Sequence, residues 1–199
     1  FLGVRFISIN DHLDTFKGLE EEKSFEIEIK NLVNDLYSRD ISKKVMSYNI
    51  QQANKGYYIG TSAPFGYRLD KQEKGIKLVI DEVAKPVIDR IFQMALEGAS
   101  SFKIAKYLND FRFSVPKSYR KTGDIYRTSD DGKVWNAGNI LRLLKSPTYR
   151  GHLYQRTRNK KLTEADYIYV ENTHEAYITE EEFETISHYL SSRKSKKIS

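Results

Sequence analysis

From Leu19 to Lys55 the chain carries neither glycine nor proline, and this uninterrupted run constrains the fold more than any other feature. Ile29, Leu32, Val33, Leu36 and Tyr37 recur at i, i+3, i+4, i+7 and i+8, and Ile41 and Val45 extend the stripe. That spacing puts them on one face of an α-helix. A helix over the whole run would be about 55 Å long. Its C-terminal half has few apolar residues, so it must lie on solvent or on a polar partner instead of inside a core. Gly56 is the expected stop, because a left-handed residue just past a helix end is best supplied by glycine.

Shorter elements flank this helix. Residues 3–9 alternate and are rich in β-formers, which predicts a strand, followed by a polar loop over 10–18. Residues 66–80 predict a hairpin with its turn between Asp70 and Gly75. Asp81 is the expected N-cap of a helix from Glu82 to Glu97, with Val83, Val87, Ile88, Ile91, Phe92, Ala95 and Leu96 on its apolar face. Ser100 or Ser101 should cap a short helix over 102–110. Pro116 is expected to close the loop after it, and the polar, basic stretch 117–134 to be an exposed loop. Asn136 is the expected N-cap of a helix to about Lys145, burying Ile140, Leu141, Leu143 and Leu144, with Pro147 as its stop. Residues 149–156 and 167–170 predict strands around a basic tip at 156–161. Thr179 and Glu182 have capping-box spacing at the start of a last helix. The Ser/Lys-rich tail from Ser191 should fray. The fold class expected is α+β and mostly helical: a long N-terminal helix, then a compact helical domain with short β-hairpins.

Charge distribution points to a partner. Residues 101–160 hold 14 basic and 4 acidic side chains, a net of +10, whereas the whole chain carries +6. Tyr107, Tyr119, Tyr126, Trp135, Tyr149 and Tyr154 are interleaved with these cations. A concentrated basic block is the electrostatic footprint of a polyanion, although a solvated basic surface has the same composition. Other classes are disfavoured. There is no cysteine, hence no disulfide or thiolate site. His12, His152, His174 and His188 lack metal-ligand spacing. No metal or cofactor is expected. No apolar run approaches the roughly 18 residues of a membrane span, and Phe1 begins no signal pattern. A cytoplasmic protein is the expectation.

Two stretches carry residue types suited to DNA. On the helix predicted after Asn136, the polar side holds Asn139, Arg142 and in part Lys145. Arginine and asparagine can contact guanine and adenine edges bidentately, and an α-helix fits the major groove. The same residues also suit the plain surface of a packed helix. The stretch Lys55-Gly-Tyr-Tyr-Ile-Gly-Thr-Ser-Ala-Pro-Phe-Gly-Tyr-Arg68 combines three glycines, three tyrosines and a proline. Small residues let backbone approach a phosphate, and Lys, Tyr and Ser can donate to it or enter a narrow groove. Phe65 and Tyr67 are expected core residues.

Several ordered stretches resemble the large serine recombinases, the serine integrases and transposon recombinases of mobile elements. Residues 3–15 resemble the last strand and following loop of the resolvase-type catalytic domain. Tyr37-Ser-Arg-Asp-Ile-Ser-Lys-Lys-Val45 resembles the helix joining that domain to the DNA-binding part. Gly56 through Pro64-Phe-Gly-Tyr67 resembles the start of the recombinase domain. Leu78-Val-Ile-Asp-Glu-Val-Ala84, Ile91-Phe92, Ile104-Ala-Lys-Tyr-Leu-Asn109, Pro116, Trp135 and Ile140-Leu-Arg-Leu-Leu-Lys-Ser-Pro-Thr-Tyr-Arg-Gly151 continue in order. Single pieces are weakly specific; the ordered set is strong. Smaller resolvases carry a Glu-Arg pair late in the linking helix, where this chain has Lys43-Lys44.

The resemblance implies site-specific recombination through a 5′-phosphoserine link, with strand exchange inside a synaptic tetramer. It implies four regions: a remnant of the catalytic domain at 1–18, a linker helix at 19–56, the recombinase domain at 57–190, and a frayed tail at 191–199. The family's nucleophilic serine is expected upstream of Phe1, so no catalytic residue is assigned; Ser8 and Ser42 are bystanders. The expected partner is duplex DNA, at an attachment or transposon-end half-site in a bacterial nucleoid. Self-association through the long helix and a full-length dimer or tetramer are also expected. Lys43, Lys44 and Lys55 would meet backbone near the crossover. Tyr57, Tyr58 and Ser62 would line the minor groove. Asn139, Arg142 and Lys145 would face the major groove, and Arg156, Arg158 and Lys160 would add phosphate contacts. The alternatives are a helix-turn-helix transcriptional regulator and an RNA-binding or interaction domain.

Overall fold

The computed structural model describes residues 7–8, 13–14, 21–127, 132–156 and 167–195. They fall into two units, Phe1–Tyr48 and Asn49–Ser199. The architecture is mostly helical α+β, as the sequence predicts. No helix among the described residues is long and apolar enough to cross a membrane.

The first unit pairs β1 (Ile7–Ser8) with β2 (Leu13–Asp14) antiparallel and contains most of α1 (Glu21–Asn54). With 34 residues, α1 is about 50 Å long. The i,i+4 ion pairs Arg39–Asp35 and Lys44–Asp40 lie along it, each at 2.8 Å and too exposed to contribute much. The stripe from Ile29 to Val45 is uncovered, between 43% exposed at Ile41 and 65% at Tyr37.

In the second unit, α1 ends in a Schellman turn. The Tyr57 N–H donates to the Gln52 carbonyl and the Gly56 N–H to that of Ala53, both at 3.0 Å, with Gly56 at φ +78°. A Cβ there would also come within 3.0 Å of Thr173. Next come β3 (Tyr67–Gln72) and β4 (Gly75–Ile80), an antiparallel hairpin turning at Glu73–Lys74 with Tyr67 opposite Ile80. Tyr67, Leu78 and Ile80 are buried, as strand alternation requires.

Helix α2 (Lys85–Leu96) starts later than the sequence predicts. A helix from Glu82 would drive the Pro86 ring against the Glu82 carbonyl. Asp81 instead closes a turn, its side chain accepting from the Val83 N–H at 3.2 Å and its carbonyl from Ala84 and Lys85. Ser100 caps α3 (Ser101–Asp110) through the Lys103 N–H. Pro116 does not close a loop; it opens α4 (Pro116–Thr122), since a missing N–H is harmless in a first turn. Asn136 caps α5 (Ala137–Leu144). The strand expected from 149 begins only at 153, because 147–150 form a 3-10 turn ended by the left-handed Gly151. The strand β5 (Leu153–Arg156) pairs antiparallel with β6 (Tyr167–Val170). The capping box forms, with Glu182 accepting from the Thr179 N–H at 2.9 Å and Thr179 from the Glu182 N–H at 3.2 Å. The helix it opens, α6 (Glu180–Ser195), runs four residues past the expected fraying point at Ser191.

The core is one cluster. Ile88 and Ile91 of α2, Ile104 and Leu108 of α3, and Ile140 of α5 are fully buried at its centre. Tyrosines bind its edge through hydroxyl donors. Tyr67 reaches the Glu175 carbonyl at 2.9 Å, Tyr149 that of Phe65 at 2.8 Å, and Tyr177 that of Gly66. Burial raises the pKa of all three, so they stay neutral donors. Gln155, buried on β5, works like a short piece of strand. Its amide NH2 donates to the Tyr57 carbonyl at 2.8 Å and its oxygen accepts from the Ile59 N–H at 2.7 Å.

Two outcomes follow for stability. Replacing Gln155 with Leu leaves both Tyr57 and Ile59 backbone groups unpartnered and should destabilise the chain by about 1–3 kcal/mol in urea unfolding. Arg112, exposed and at φ +56°, occupies the left-handed position past α3. Arg112→Gly should relieve that strain and raise stability by about 0.5–1 kcal/mol, read as a higher Tm.

Candidate nucleic-acid interface

Helix α5 divides its two faces sharply. Ile140, Leu143 and Leu144 recur at i, i+3 and i+4 and are buried. They pack α5 against α3. The opposite face carries Asn139, half-buried, and Arg142 and Lys145, exposed. The Asn136 side chain accepts from the Asn139 N–H at 2.9 Å, which starts the helix at the residue the sequence predicts.

The lead-in to α5 is anchored by a side chain imitating a β-ladder. Asn109, near the end of α3, donates its amide NH2 to the Trp135 carbonyl at 2.8 Å and accepts from the Trp135 N–H at 2.9 Å. Trp135 is buried and meets Phe65 edge-on at 5.5 Å. Arg127 donates to the Lys133 carbonyl at 3.0 Å, so its guanidinium braces the loop.

Helix α4 lies across from α5. Tyr119 holds it, donating to an Asp81 carboxylate oxygen at 2.7 Å and meeting Phe65 edge-on at 5.5 Å. Burial and the Asp81 hydrogen bond push the Tyr119 pKa up to about 12. Between these elements opens a cleft of about 710 Å³, bordered by Lys117, Arg120, Lys133, Asn136, Asn139 and Arg142. Arg120 also borders a neighbouring cavity that includes Ser62.

The structure brings only some of the sequence-predicted residues together. Asn139 and Arg142 share the cleft, and Lys145 caps the end of the same helix. Lys55 is exposed just past α1. Tyr57 lays its ring where a Cβ on Gly75 would be, 2.5 Å from its Cγ. Tyr58 is half-buried, and its hydroxyl donates to the Ser62 carbonyl at 2.8 Å, a contact internal to the chain. Burial raises its pKa, with Arg120 opposing. Arg156 ends β5, exposed and opposite Tyr167. Arg158 and Lys160 lie outside the described residues. Lys43 and Lys44 are exposed on α1 in the first unit, Lys44 paired with Asp40. Ser42 donates to the Ser38 carbonyl at 2.8 Å. No group of three potential metal ligands occurs among the described residues.

Sequence reasoning missed Lys117, Arg120 and Lys133. The available signal was Pro116 followed by cations at i+1 and i+4: a proline at a first helical position makes Lys117 and Arg120 neighbours on one helix face.

Comparison with known proteins agrees with this fold. Residues 82–193 match the family model described as Recombinase. The crystal structure of an LSR–DNA complex superposes with a TM-score of 0.50 at 19% identity, over 74% of this chain and 39% of that one. A structure from work on the sequence requirements of the Listeria innocua prophage attP site gives a TM-score of 0.44 at 22% identity, over 75% of this chain and 51% of that one. The chain therefore spans about two-fifths to one-half of the solved chains it matches. With more than half of its residues inside the family match, the chain belongs to the recombinase family and carries the recombinase domain of the large serine recombinases.

Proposed function

We propose that this chain is the DNA-recognition part of a site-specific serine recombinase of a mobile element. It binds one duplex half-site, at an attachment site or a transposon end, in a bacterial cytoplasm. The observation that carries this reading is the polar face of α5. Asn139 and Arg142, the residue types that read adenine and guanine edges, stand on a short helix whose other face is locked into the core. Such a helix enters a major groove as a rigid unit, so the entropy cost of presenting those side chains is low.

The remaining contacts are assigned by position. Lys145 extends the α5 face, and Lys55 with Tyr57, Tyr58 and Ser62 follows the minor groove next to it. Since Tyr58 and the Ser62 carbonyl are bonded to one another, they shape this segment more than they donate to DNA. Lys43 and Lys44 on α1, and Arg156, Arg158 and Lys160 near the end of β5, meet backbone phosphates. The domain plan is a catalytic-domain remnant at 1–18, the linker helix at 19–56, the recombinase domain at 57–190 and a tail at 191–199. Serine-type strand exchange belongs to the whole protein. The uncovered stripe of α1 supports self-association through that helix, in the dimer or tetramer that strand exchange needs.

Selection from a random duplex library should return one preferred half-site. Equal affinity for the selected and scrambled duplexes at moderate salt would sink the reading. Arg142→Ala should cost about 1–3 kcal/mol on the selected site and relax preference at one base pair, with random-sequence binding little changed. For α1, the double substitution Leu32→Glu and Leu36→Glu should abolish concentration-dependent self-association in sedimentation velocity while half-site affinity is kept.

A further inference from the structure

We infer that Asn109 is a positioning residue for base recognition: from α3 it sets the sequence preference of α5, with both ends of its own amide engaged inside the chain. The inference rests on the major-groove reading of α5 above and adds what holds Asn139 and Arg142 at the angle their contacts require.

Helix α5 cannot fix its own start. It has eight residues, well below the roughly 12–15 at which an isolated helix becomes marginally stable. Its buried side chains, Ile140, Leu143 and Leu144, begin only at the fourth residue. The first three residues, Ala137, Gly138 and Asn139, are not fully buried, and Gly138 is a poor helix former. Asn139 therefore stands in a turn that packing does not hold, and Arg142 follows three residues later.

A relay of hydrogen bonds from the core holds that turn. Ile104 and Leu108 of α3 are fully buried, and Asn109 follows Leu108. The Asn109 amide donates to the Trp135 carbonyl at 2.8 Å and accepts from the Trp135 N–H at 2.9 Å. A single bond would leave the Trp135 backbone free to pivot; the pair fixes its orientation. Phe65 meets the Trp135 ring edge-on at 5.5 Å, so ring and backbone are anchored separately. Asn136 comes next, with extended backbone at φ −128° and ψ 162°, and its side chain accepts from the Asn139 N–H at 2.9 Å.

Loss of this relay acts on preference more than on affinity. Hydrogen bonds to base edges weaken steeply as their angles degrade. A slip of one residue along α5 would turn its polar face by about 100°. Contacts to phosphates carry no sequence information and survive such a change.

The test uses the 199-residue chain with Asn109→Leu or Asn109→Ala. Both replacements favour a helix, so α3 itself is not weakened. Leucine also keeps the branched shape of asparagine without its polar atoms. Affinities for the selected half-site and for a scrambled duplex are read by fluorescence anisotropy at about 100 mM salt. The preference for the selected site should fall about tenfold, the size of one lost base readout, with scrambled-duplex affinity kept within about twofold. Exchange of the Trp135 amide hydrogen, followed by NMR, should become about fivefold faster. In an Asn139→Ala/Arg142→Ala background, Asn109→Leu should change the remaining preference less than about twofold, because the side chains it positions are gone. Ile186→Val, a truncation in the buried face of α6, is the control for general loosening and should keep the wild-type preference. If thermal melts show the Leu and Ala variants unfolded at the assay temperature, Asn109→Asp takes their place. It keeps the acceptor for the Trp135 N–H but loses the donor, and should lower preference about threefold.

Wild-type preference in a folded Asn109 variant overturns the positioning role. So does an equal fall in Ile186→Val, or a loss of scrambled-duplex affinity as large as that of the half-site. In each of these cases the wild type still selects its site through Asn139 and Arg142, so the reading of α5 survives. If the wild type shows no preference, or Asn139→Ala/Arg142→Ala keeps it, the reading of α5 falls and the positioning role falls with it.

Discussion

Asn109 grips Trp135 through both halves of its side-chain amide, and the placement of α5 depends on that grip. A buried backbone N–H and C=O must each find a partner, and outside a sheet or helix few groups offer both. Asn109 does so from the end of α3, an element already locked in the core. Trp135 is thereby fixed one residue before the N-cap of α5, and Lys133 two residues further back. The start of α5, the direction of its polar face and one wall of the basic cleft all follow from this bond pair.

Carbonyls of the connecting segments are satisfied in the same economical way. Tyr67, Tyr149 and Tyr177 place their rings in or against the core and aim neutral hydroxyls at carbonyls of segments distant in sequence. Gln155 does this for the stretch after α1. Polar side chains inside this unit thus fasten loops to the core, and cations are left on the surface between α4 and α5. That division lets the unit be rigid and strongly charged at the same place, because the two tasks fall to different residues.

The long helix obeys another logic. Its apolar stripe has helical periodicity but stays exposed among the described residues, and Arg39 and Lys44 pair with acids on the same helix. Helix geometry and local charge patterning suffice to build it. A second surface is needed to bury it, and local helix geometry does not supply one.

Much of this was legible in residue order. The gly- and pro-free run, the Gly56 stop, the β3–β4 hairpin, the Asn136 cap, the Thr179–Glu182 box and the polar face of α5 are decided by interactions within about four residues, and such interactions leave periodic or paired signatures. Family membership was legible too, from motifs in fixed order. Other features were settled only by contacts across the fold. Lys-Ser-Tyr-Arg-Lys after Pro116 has no apolar stripe and became a helix because Tyr119 reaches Asp81 and Phe65. Residues 149–152 lost their strand character because Tyr149 turns into the core and Gly151 lies against the His174 carbonyl, where a Cβ would sit 2.7 Å away. The hydrogen bond from the Tyr58 hydroxyl to the Ser62 carbonyl is one no periodic pattern announces. Sequence alone therefore determined α1, α3, α5 and α6 with the caps at Ser100, Asn136 and Thr179, and the family, because those depend on neighbours along the chain. The tertiary structure alone decided that Lys117, Arg120 and Lys133 meet Asn139 and Arg142 in one cleft, because that meeting depends on packing between segments no local pattern connects.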